Sequence, residues 1–314
     1  MELDLETKAL LEDMASSYKP SNLKKVAGEI SKNYLNNKKD NKTFILSKEF
    51  AITYGIIRLP ATFAALTHVF ERTLSLYKNS IKTVLDLGSG MGAVPLVLSN
   101  LYPNNDFNFT LIERDNDMRE IGNKLLTHKN KNFIYIDDDI ISFDIKAKYD
   151  LIIFSYSFNE FSKSNQENLI KKYLPFAKLL IIVDPGTPEC YQSLMNIKCL
   201  VSPEYNIVAP CMYKNGCPLE NDWCHFVTRL SRSSLHRYLK DADAPYEDEK
   251  FTYLAISNEI TNNDCSRLIR HTLNNTNSIT LKLCNKSGIV IKEVYKKDKS
   301  DYKKAKKIKI GDLY

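Results

Sequence analysis

Between residues 81 and 200, short apolar strands alternate with helical segments, and this alternation constrains the fold more than any other feature of the chain. The predicted strands are 82–87, 107–113, 132–136, 150–155 and 178–183, and the predicted helices are about 91–102, 115–127, 163–174 and 188–199. Such alternation is typical of a mostly parallel sheet covered by helices on both faces. We therefore expect an α/β fold with its ligand site at the carboxyl ends of the strands.

The segments on either side have other patterns. Residues 1–80 are predicted to be helical, with a polar loop at 36–42, and Pro60 is expected to interrupt the second helical stretch because proline lacks an amide donor. After about residue 201 we predict a cysteine-containing segment, a helix at 229–240 and strands at 251–257, 279–284 and 289–295. The predicted organisation is an N-terminal helical segment (1–80), a cofactor-binding core (81–200) and a cysteine-cluster module with a β-hairpin that completes the sheet (201–314).

The composition excludes several classes of protein. No stretch approaches the roughly 20 apolar residues that cross a bilayer, so no membrane partner is expected. The N-terminus is acidic up to Lys8, which argues against a secretory signal and an Arg-rich presequence. Seven cysteines without an export signal indicate a reducing compartment. We expect a cytoplasmic protein of bacterial type rather than one of the mitochondrial matrix.

Positive charge is concentrated near the C-terminus. The net charge is +6, and the stretch 292–309 holds nine lysines against three acids. Such a tail favours contact with a polyanion, most plausibly nucleic acid, although a solvated lysine tail would have the same sequence. A second basic face is predicted on the helix at 229–240, formed by Arg229, Arg232, His236, Arg237 and Lys240.

A glycine-rich loop follows the first predicted strand of the core. It has the pattern Asp86-x-Gly88-x-Gly90-x-Gly92, and the next strand ends in Glu113. A dinucleotide loop has the spacing G-x-G-x-x-G. This loop instead resembles that of Rossmann-like methyltransferases that use S-adenosylmethionine (SAM).

That resemblance implies a role for each acid. Asp86 would orient the amino-acid end of SAM, Glu113 would accept both ribose hydroxyls, and Asp139 is a candidate partner for the adenine amine, with Asp137 and Asp138 nearly equivalent. The loop at 156–161, which would face the substrate, contains no obvious base or nucleophile. The loop at 184–188 is equally compatible with a rigid turn and with a part of the SAM site.

Cys211, Cys217 and Cys224 are close in sequence, and Cys284 ends a later strand. Four thiolates complete either a tetrahedral zinc site or a [4Fe–4S] cluster, and spacing does not choose between them. Pro210-Cys211 also resembles the dipeptide of 5-methylcytosine enzymes, in which the thiolate attacks the base; that reading leaves the other thiols unexplained.

Several runs occur together in an order that resembles one family. They are Arg58-Leu59-Pro60-Ala61-Thr62, the glycine loop, Asp184-Pro185-Gly186-Thr187-Pro188, Ala209-Pro210-Cys211, Trp223-Cys224-His225-Phe226 and Tyr246-Glu247-Asp248-Glu249-Lys250-Phe251. The chain is similar, from about residue 50 to its end, to the mitochondrial and bacterial ribosomal small-subunit methyltransferase-like family of the Rsm-twenty-two type. The resemblance implies a SAM-type fold, a [4Fe–4S] cluster on Cys211, Cys217, Cys224 and Cys284, and association with the small ribosomal subunit and its rRNA.

Three functions are compatible with these observations. The favoured one is an RNA methyltransferase of the small subunit, with SAM and a [4Fe–4S] cluster. The second is a non-catalytic assembly factor that uses SAM or the cluster structurally. The third is a methyltransferase for another substrate, with structural zinc.

Overall fold

The computed structural model describes residues 2–35, 47–129, 131–211, 213, 216–259 and 265–314. The polar loop predicted at 36–42 lies outside these residues. The helices are α1 (Leu5–Ala15), α2 (Pro20–Leu35), α3 (Lys48–Leu74), α4 (Ala93–Leu101), α5 (Asn116–His128), α6 (Lys163–Tyr173), α7 (Pro188–Val201), α8 (Ser234–Lys240) and α9 (Lys299–Lys307).

The strands follow the same chain order. They are β1 (Thr83–Leu87), β2 (Asn108–Ile112), β3 (Phe133–Ile136), β4 (Tyr149–Ser155), β5 (Ala177–Pro185), β6 (Asn206–Ala209), β7 (Phe226–Ser231), β8 (Tyr246–Ser257), β9 (Arg267–Leu268), β10 (Leu273–Asn274), β11 (Ser278–Asn285) and β12 (Gly288–Tyr295). Two short 3-10 segments, Phe158–Glu160 and Leu174–Phe176, follow β4 and α6.

The central sheet has the order β3-β2-β1-β4-β5-β8-β6, and β7 also pairs with β8. The pairs among β1 to β5 are parallel, whereas β8 is antiparallel to β5, β6 and β7. The order of the strands reverses between β1 and β4, with β2 and β3 on one side and β5 on the other, and ligands of such sheets bind at this crevice, outside the carboxyl ends of the strands. The predicted α/β fold class is confirmed.

The strands of the core are apolar on both faces because helices cover both. Alternate residues of β4, such as Leu151 and Ile152, belong to two different cores. One core includes α3, α4 and α5, and the other includes α6 and α7. This double burial accounts for the continuous apolar runs that predicted the strands.

Helix α3 is longer than expected. The interruption predicted at Pro60 is wrong, because α3 continues through this residue for 27 residues. Most of its side chains are buried against the sheet and neighbouring helices, and this packing outweighs the loss of one amide donor. By length and composition α3 could span a membrane, but 89% of its most apolar window is buried inside the protein.

The helix predicted at 229–240 is wrong in its first part. Residues 226–231 form β7, and α8 begins only at Ser234, where the Ser233 side chain accepts a hydrogen bond from the His236 amide. The final hairpin is as predicted, with β11 and β12 joined at Gly288 (φ 113°). A second small sheet, β10-β11-β12 with β9 beside β11, packs against α9. The division at residues 80 and 200 stays a prediction.

Candidate functional site

The glycine loop connects β1 to α4 at the switch point of the sheet. Gly88, Gly90 and Gly92 have φ values of 76°, 52° and 81°, a region that favours glycine. A Cβ on Gly88 would lie 2.6 Å from the Cβ of Ser157, whereas a Cβ on Gly90 would meet nothing within 4 Å. Gly88 is therefore needed for packing, and Gly90 borders open space.

Asp86 lies at the base of this loop. Its side chain is 1% exposed, and neither carboxyl oxygen has a hydrogen-bond partner among the described residues. Burial, with a further contribution from Glu113, raises the pKa of Asp86 well above its usual range. A buried polar group without a partner is unfavourable, so this carboxyl is suited to a ligand that brings a cation or an N–H donor.

Glu113 holds the loop in place from the end of β2. Its two carboxylate oxygens accept hydrogen bonds from the amides of Gly90 and Asp115, each at 2.9 Å. Burial raises the pKa of Glu113, and these two bonds oppose the rise. A carboxylate has about four lone-pair sites, so acceptor capacity remains for two ligand hydroxyls.

Asp139 follows β3 at the same edge, and each of its carboxylate oxygens already accepts one hydrogen bond. One oxygen accepts from Arg114 at 3.0 Å and the other from the amide of Ile141 at 2.8 Å. Its neighbour Asp137 is paired with Arg119. The structure thus places Asp139 near the predicted site with both oxygens already bonded.

Two further acidic side chains lie near the carboxyl ends of β4 and β5: Glu160 comes after β4, and Asp184 is the penultimate residue of β5. Asp184 is fully buried; one of its oxygens accepts from the Asn159 amide at 3.3 Å, and the other has no partner among the described residues. Burial raises the pKa of both Asp184 and Glu160 to about 7. The side chain of Glu160 nevertheless reaches solvent.

Helix α3 and strand β8 supply residues that motif reasoning from the core alone would miss. The Arg58 guanidinium donates to both oxygens of Glu249, at 3.0 and 3.3 Å, and the Tyr156 hydroxyl donates to the same carboxylate at 2.9 Å. Tyr156, at the end of β4, has a φ of 57°. The only signal for this network was that Arg58 and Glu249 lie in two of the runs shared with the family.

The four predicted cysteine ligands come from separate elements. Cys211 follows β6, Cys217 and Cys224 precede β7, and Cys284 lies on β11. Burial raises the pKa of Cys224, and Cys211, Cys217 and Cys284 raise it further; burial together with Cys211 and Cys217 raises the pKa of Cys284 to about 11. Because the four thiols affect one another electrostatically, they lie in one region of the structure.

A single metal ion is not accommodated by the side chains as they stand. In the described part of the chain, no group of three or more His, Cys, Asp or Glu side chains could hold a metal ion. Around one zinc ion, four sulfurs must each lie about 2.3 Å from the same point.

The basic face predicted at 229–240 is wrong. Arg229 lies on β7 and pairs with Asp248 at 2.7 Å, while Arg232 and Lys240 both pair with Glu247. The buried His236 also contacts Glu247, but burial lowers the pKa of its imidazole, so it adds no positive charge at neutral pH. Acids on β8 thus neutralise most of this face. The lysines of α9, in contrast, are exposed.

Comparison with known proteins identifies a family. A family model described as "Rsm22: Mitochondrial small ribosomal subunit Rsm22" matches residues 48–314. A search of curated proteins gives no match.

Solved structures show weaker likenesses. PH1948 of Pyrococcus horikoshii, a candidate RNA methyltransferase, is 14% identical over 71% of this chain and 93% of its own, with a TM-score of 0.43. The plantazolicin methyltransferase BpumL with bound SAH is 16% identical over 78% of this chain and 100% of its own, with a TM-score of 0.46. Similarities this low carry no argument about activity.

Proposed function

This chain belongs to the Rsm22 family, and on that premise we propose that it is a SAM-binding methyltransferase-like protein of the small ribosomal subunit. The observation that carries the proposal is the buried, unpartnered carboxyl of Asp86 beside the open space at Gly90. An ammonium group placed there would supply the missing donors and favour the charged carboxylate.

Each residue around the glycine loop would contact a different part of SAM. Asp86 would hold the amino-acid end, Gly90 leaves room for the ligand, and Glu113 retains lone pairs for the ribose hydroxyls. Asp139 remains a prediction for the adenine end, and its existing bonds to Arg114 and Ile141 would have to be shared. When bound, SAM supplies an electrophilic methyl group.

On the acceptor side, the cleft offers Glu160 and the unpartnered oxygen of Asp184. A carboxyl with a pKa near 7 can hold or release a proton at neutral pH. These groups could orient an acceptor that carries a proton. Rapid transfer would then depend on holding the acceptor in line with the methyl group.

We further propose that Cys211, Cys217, Cys224 and Cys284 hold a [4Fe–4S] cluster rather than zinc. In a cluster each thiolate binds a different iron atom, so the sulfurs need not meet at one point. Four thiols that lie in one region and come from separate elements are compatible with that requirement.

The small ribosomal subunit and its rRNA are the proposed partners. The family description names that subunit, and the exposed lysines of α9 provide positive charge for phosphate contacts. The cytoplasmic location expected from the N-terminus stays a prediction, because the family description is mitochondrial.

SAM titration by calorimetry tests the cofactor proposal. Asp86→Asn should weaken SAM binding about 10- to 100-fold, since a hydrogen bond to a charged group contributes about 1.5–3 kcal/mol. Gly90→Ala should also weaken it by placing a methyl group in the ligand space. Gly28→Ala is the control, because a Cβ at Gly28 also meets nothing within 4 Å and Gly28 lies on α2 rather than in the glycine loop. Absence of SAM binding by the wild type, or equal affinity in Asp86→Asn, contradicts the proposal.

Catalysis is tested separately. Wild type and Gly90→Ala would be incubated with immature small-subunit particles and labelled SAM, and both methyl incorporation and subunit assembly would be measured. Loss of incorporation in the variant supports an enzyme. Unchanged assembly without incorporation in either protein supports the assembly-factor alternative.

A further inference from the structure

Two cations beside the cysteines are buried without an acidic partner. Lys198 on α7 and Arg267 on β9 are each 1% exposed. Among the residues that the structure describes, neither forms an ion pair with a carboxylate, and Nη2 of Arg267 has no hydrogen-bond partner. An unpaired charge in a protein interior is strongly unfavourable, so a nearby anion would stabilise both side chains.

Both cations are directed to the cysteine segment by hydrogen bonds. Lys198 Nζ donates to the carbonyl oxygen of Tyr213 at 2.7 Å and to that of Gly216. Arg267 Nε donates to the carbonyl oxygen of Pro210 at 2.8 Å. These carbonyls belong to residues next to or near Cys211 and Cys217, so the cations and the thiols occupy the same region.

The sulfur atoms are the nearest candidates for the missing negative charge. Lys198 is bonded to the carbonyl of the residue before Cys217, Arg267 to the carbonyl of the residue before Cys211, and both cations act electrostatically on Cys211 and Cys284. Neutral thiols would leave two buried positive charges uncompensated. Four thiolates carry more negative charge than the oxidised core of a [4Fe–4S] cluster carries positive charge, so the ligated centre is a net anion.

We propose that Lys198 and Arg267 are the buried counter-ions of an anionic inorganic centre held by the four cysteines. The inference rests on the proposed cluster and assigns these two cations the role of matching its charge and setting its reduction potential. They are positioning residues for the centre, since neither has a side chain that binds iron. A nearby cation stabilises the more negative, reduced state, so each raises the potential.

The experiment uses the full chain purified without oxygen. Iron and sulfide content, the visible absorption spectrum and the midpoint potential would be measured for wild type, Lys198→Met and Arg267→Met. Each methionine variant should shift the potential to more negative values or lose iron and sulfide. Lys198→Arg and Arg267→Lys, which keep the charge, should recover part of the potential. Lys171→Met, at an exposed position on α6, is the control and should match wild type.

SAM titration of every variant separates the possible failures. Lost iron with retained SAM binding supports the counter-ion role, because the remainder of the fold is then intact. Wild-type potential and iron content in both methionine variants overturn it, as does a charge-conserving variant that is as impaired as its methionine counterpart. If the wild type itself holds no iron and sulfide, the proposed cluster is wrong and the counter-ion inference is wrong with it. The SAM proposal is tested separately, by the SAM titration.

Discussion

Replacing Arg58 by methionine should destabilise the protein by about 3–5 kcal/mol. Arg58 and Glu249 are 8% and 7% exposed, and their two hydrogen bonds of 3.0 and 3.3 Å form the main charge contact between α3 and β8. Removing one partner of a buried pair leaves the other charge uncompensated, and this is the origin of the 3–5 kcal/mol. The Tyr156 hydroxyl would then be the remaining donor to Glu249.

The expected change in melting temperature follows from chain length. Unfolding entropy of about 2.1 cal/mol/K per residue gives roughly 0.66 kcal/mol/K for 314 residues. A loss of 3–5 kcal/mol therefore lowers the midpoint by about 5–8 °C. Calorimetry and urea titration would measure the two quantities independently.

Two further variants test whether the buried ion pair is the source of this loss of stability. Arg58→Met combined with Glu249→Gln removes both charges and should recover at least half of the loss. Arg229→Ala breaks the exposed pair with Asp248 and should change stability by less than about 1 kcal/mol. If Arg58→Met also costs less than about 1 kcal/mol, or if the double variant is no more stable than the single one, the buried pair does not have the energetic role assigned to it.

Three other predictions concern backbone, pH and RNA. Gly88→Ala should destabilise the protein by at least about 1–3 kcal/mol, because Gly88 has a positive φ and its new Cβ would clash with Ser157. Gly28 lies on α2 and a Cβ there would meet nothing within 4 Å, so Gly28→Ala should stabilise the protein by about 0.5–1 kcal/mol. Urea titration would measure the free energy of unfolding of both variants. Burial raises the pKa of Asp184 to about 7, so the folded protein binds this proton more tightly than the unfolded chain, and the associated stability, present below about pH 4, is lost as the pH rises through 7. Asp184→Asn should remove up to roughly 4 kcal/mol of that dependence, and identical pH profiles would contradict it. Neutralising the lysines of α9 should weaken binding of rRNA fragments and lower the salt dependence by about 0.7 per lost contact; an unchanged slope would exclude α9 from the RNA interface.

The sequence pattern was sufficient to locate elements whose structure depends mainly on nearby residues. The apolar runs of β1 to β5 and the periodic helices between them could be located because doubly covered strands remain apolar throughout. The hairpin at Gly288 was also accessible, since a turn needs a residue that tolerates positive φ. The glycine loop was found by its spacing, and its neighbour Asp86 by its position.

The features that were predicted wrongly or missed depend on contacts between residues far apart in the sequence. Arg229 appeared helical by spacing, but its partner Asp248 is opposite it on β8, and that register depends on the whole sheet. Pro60 stays inside α3 because tertiary burial outweighs its local penalty. Asp184 looked like part of a turn, and only its complete burial distinguishes it from an ordinary acid.

The contact between α3 and β8 has a consequence for synthesis. Arg58 and Glu249 are 191 residues apart in the chain. At about 5–20 residues per second, a ribosome needs roughly 10–40 s to deliver the second after the first. During that interval α3 can pack against the earlier helices of the core, but the Arg58 guanidinium lacks its carboxylate partner until translation is nearly complete.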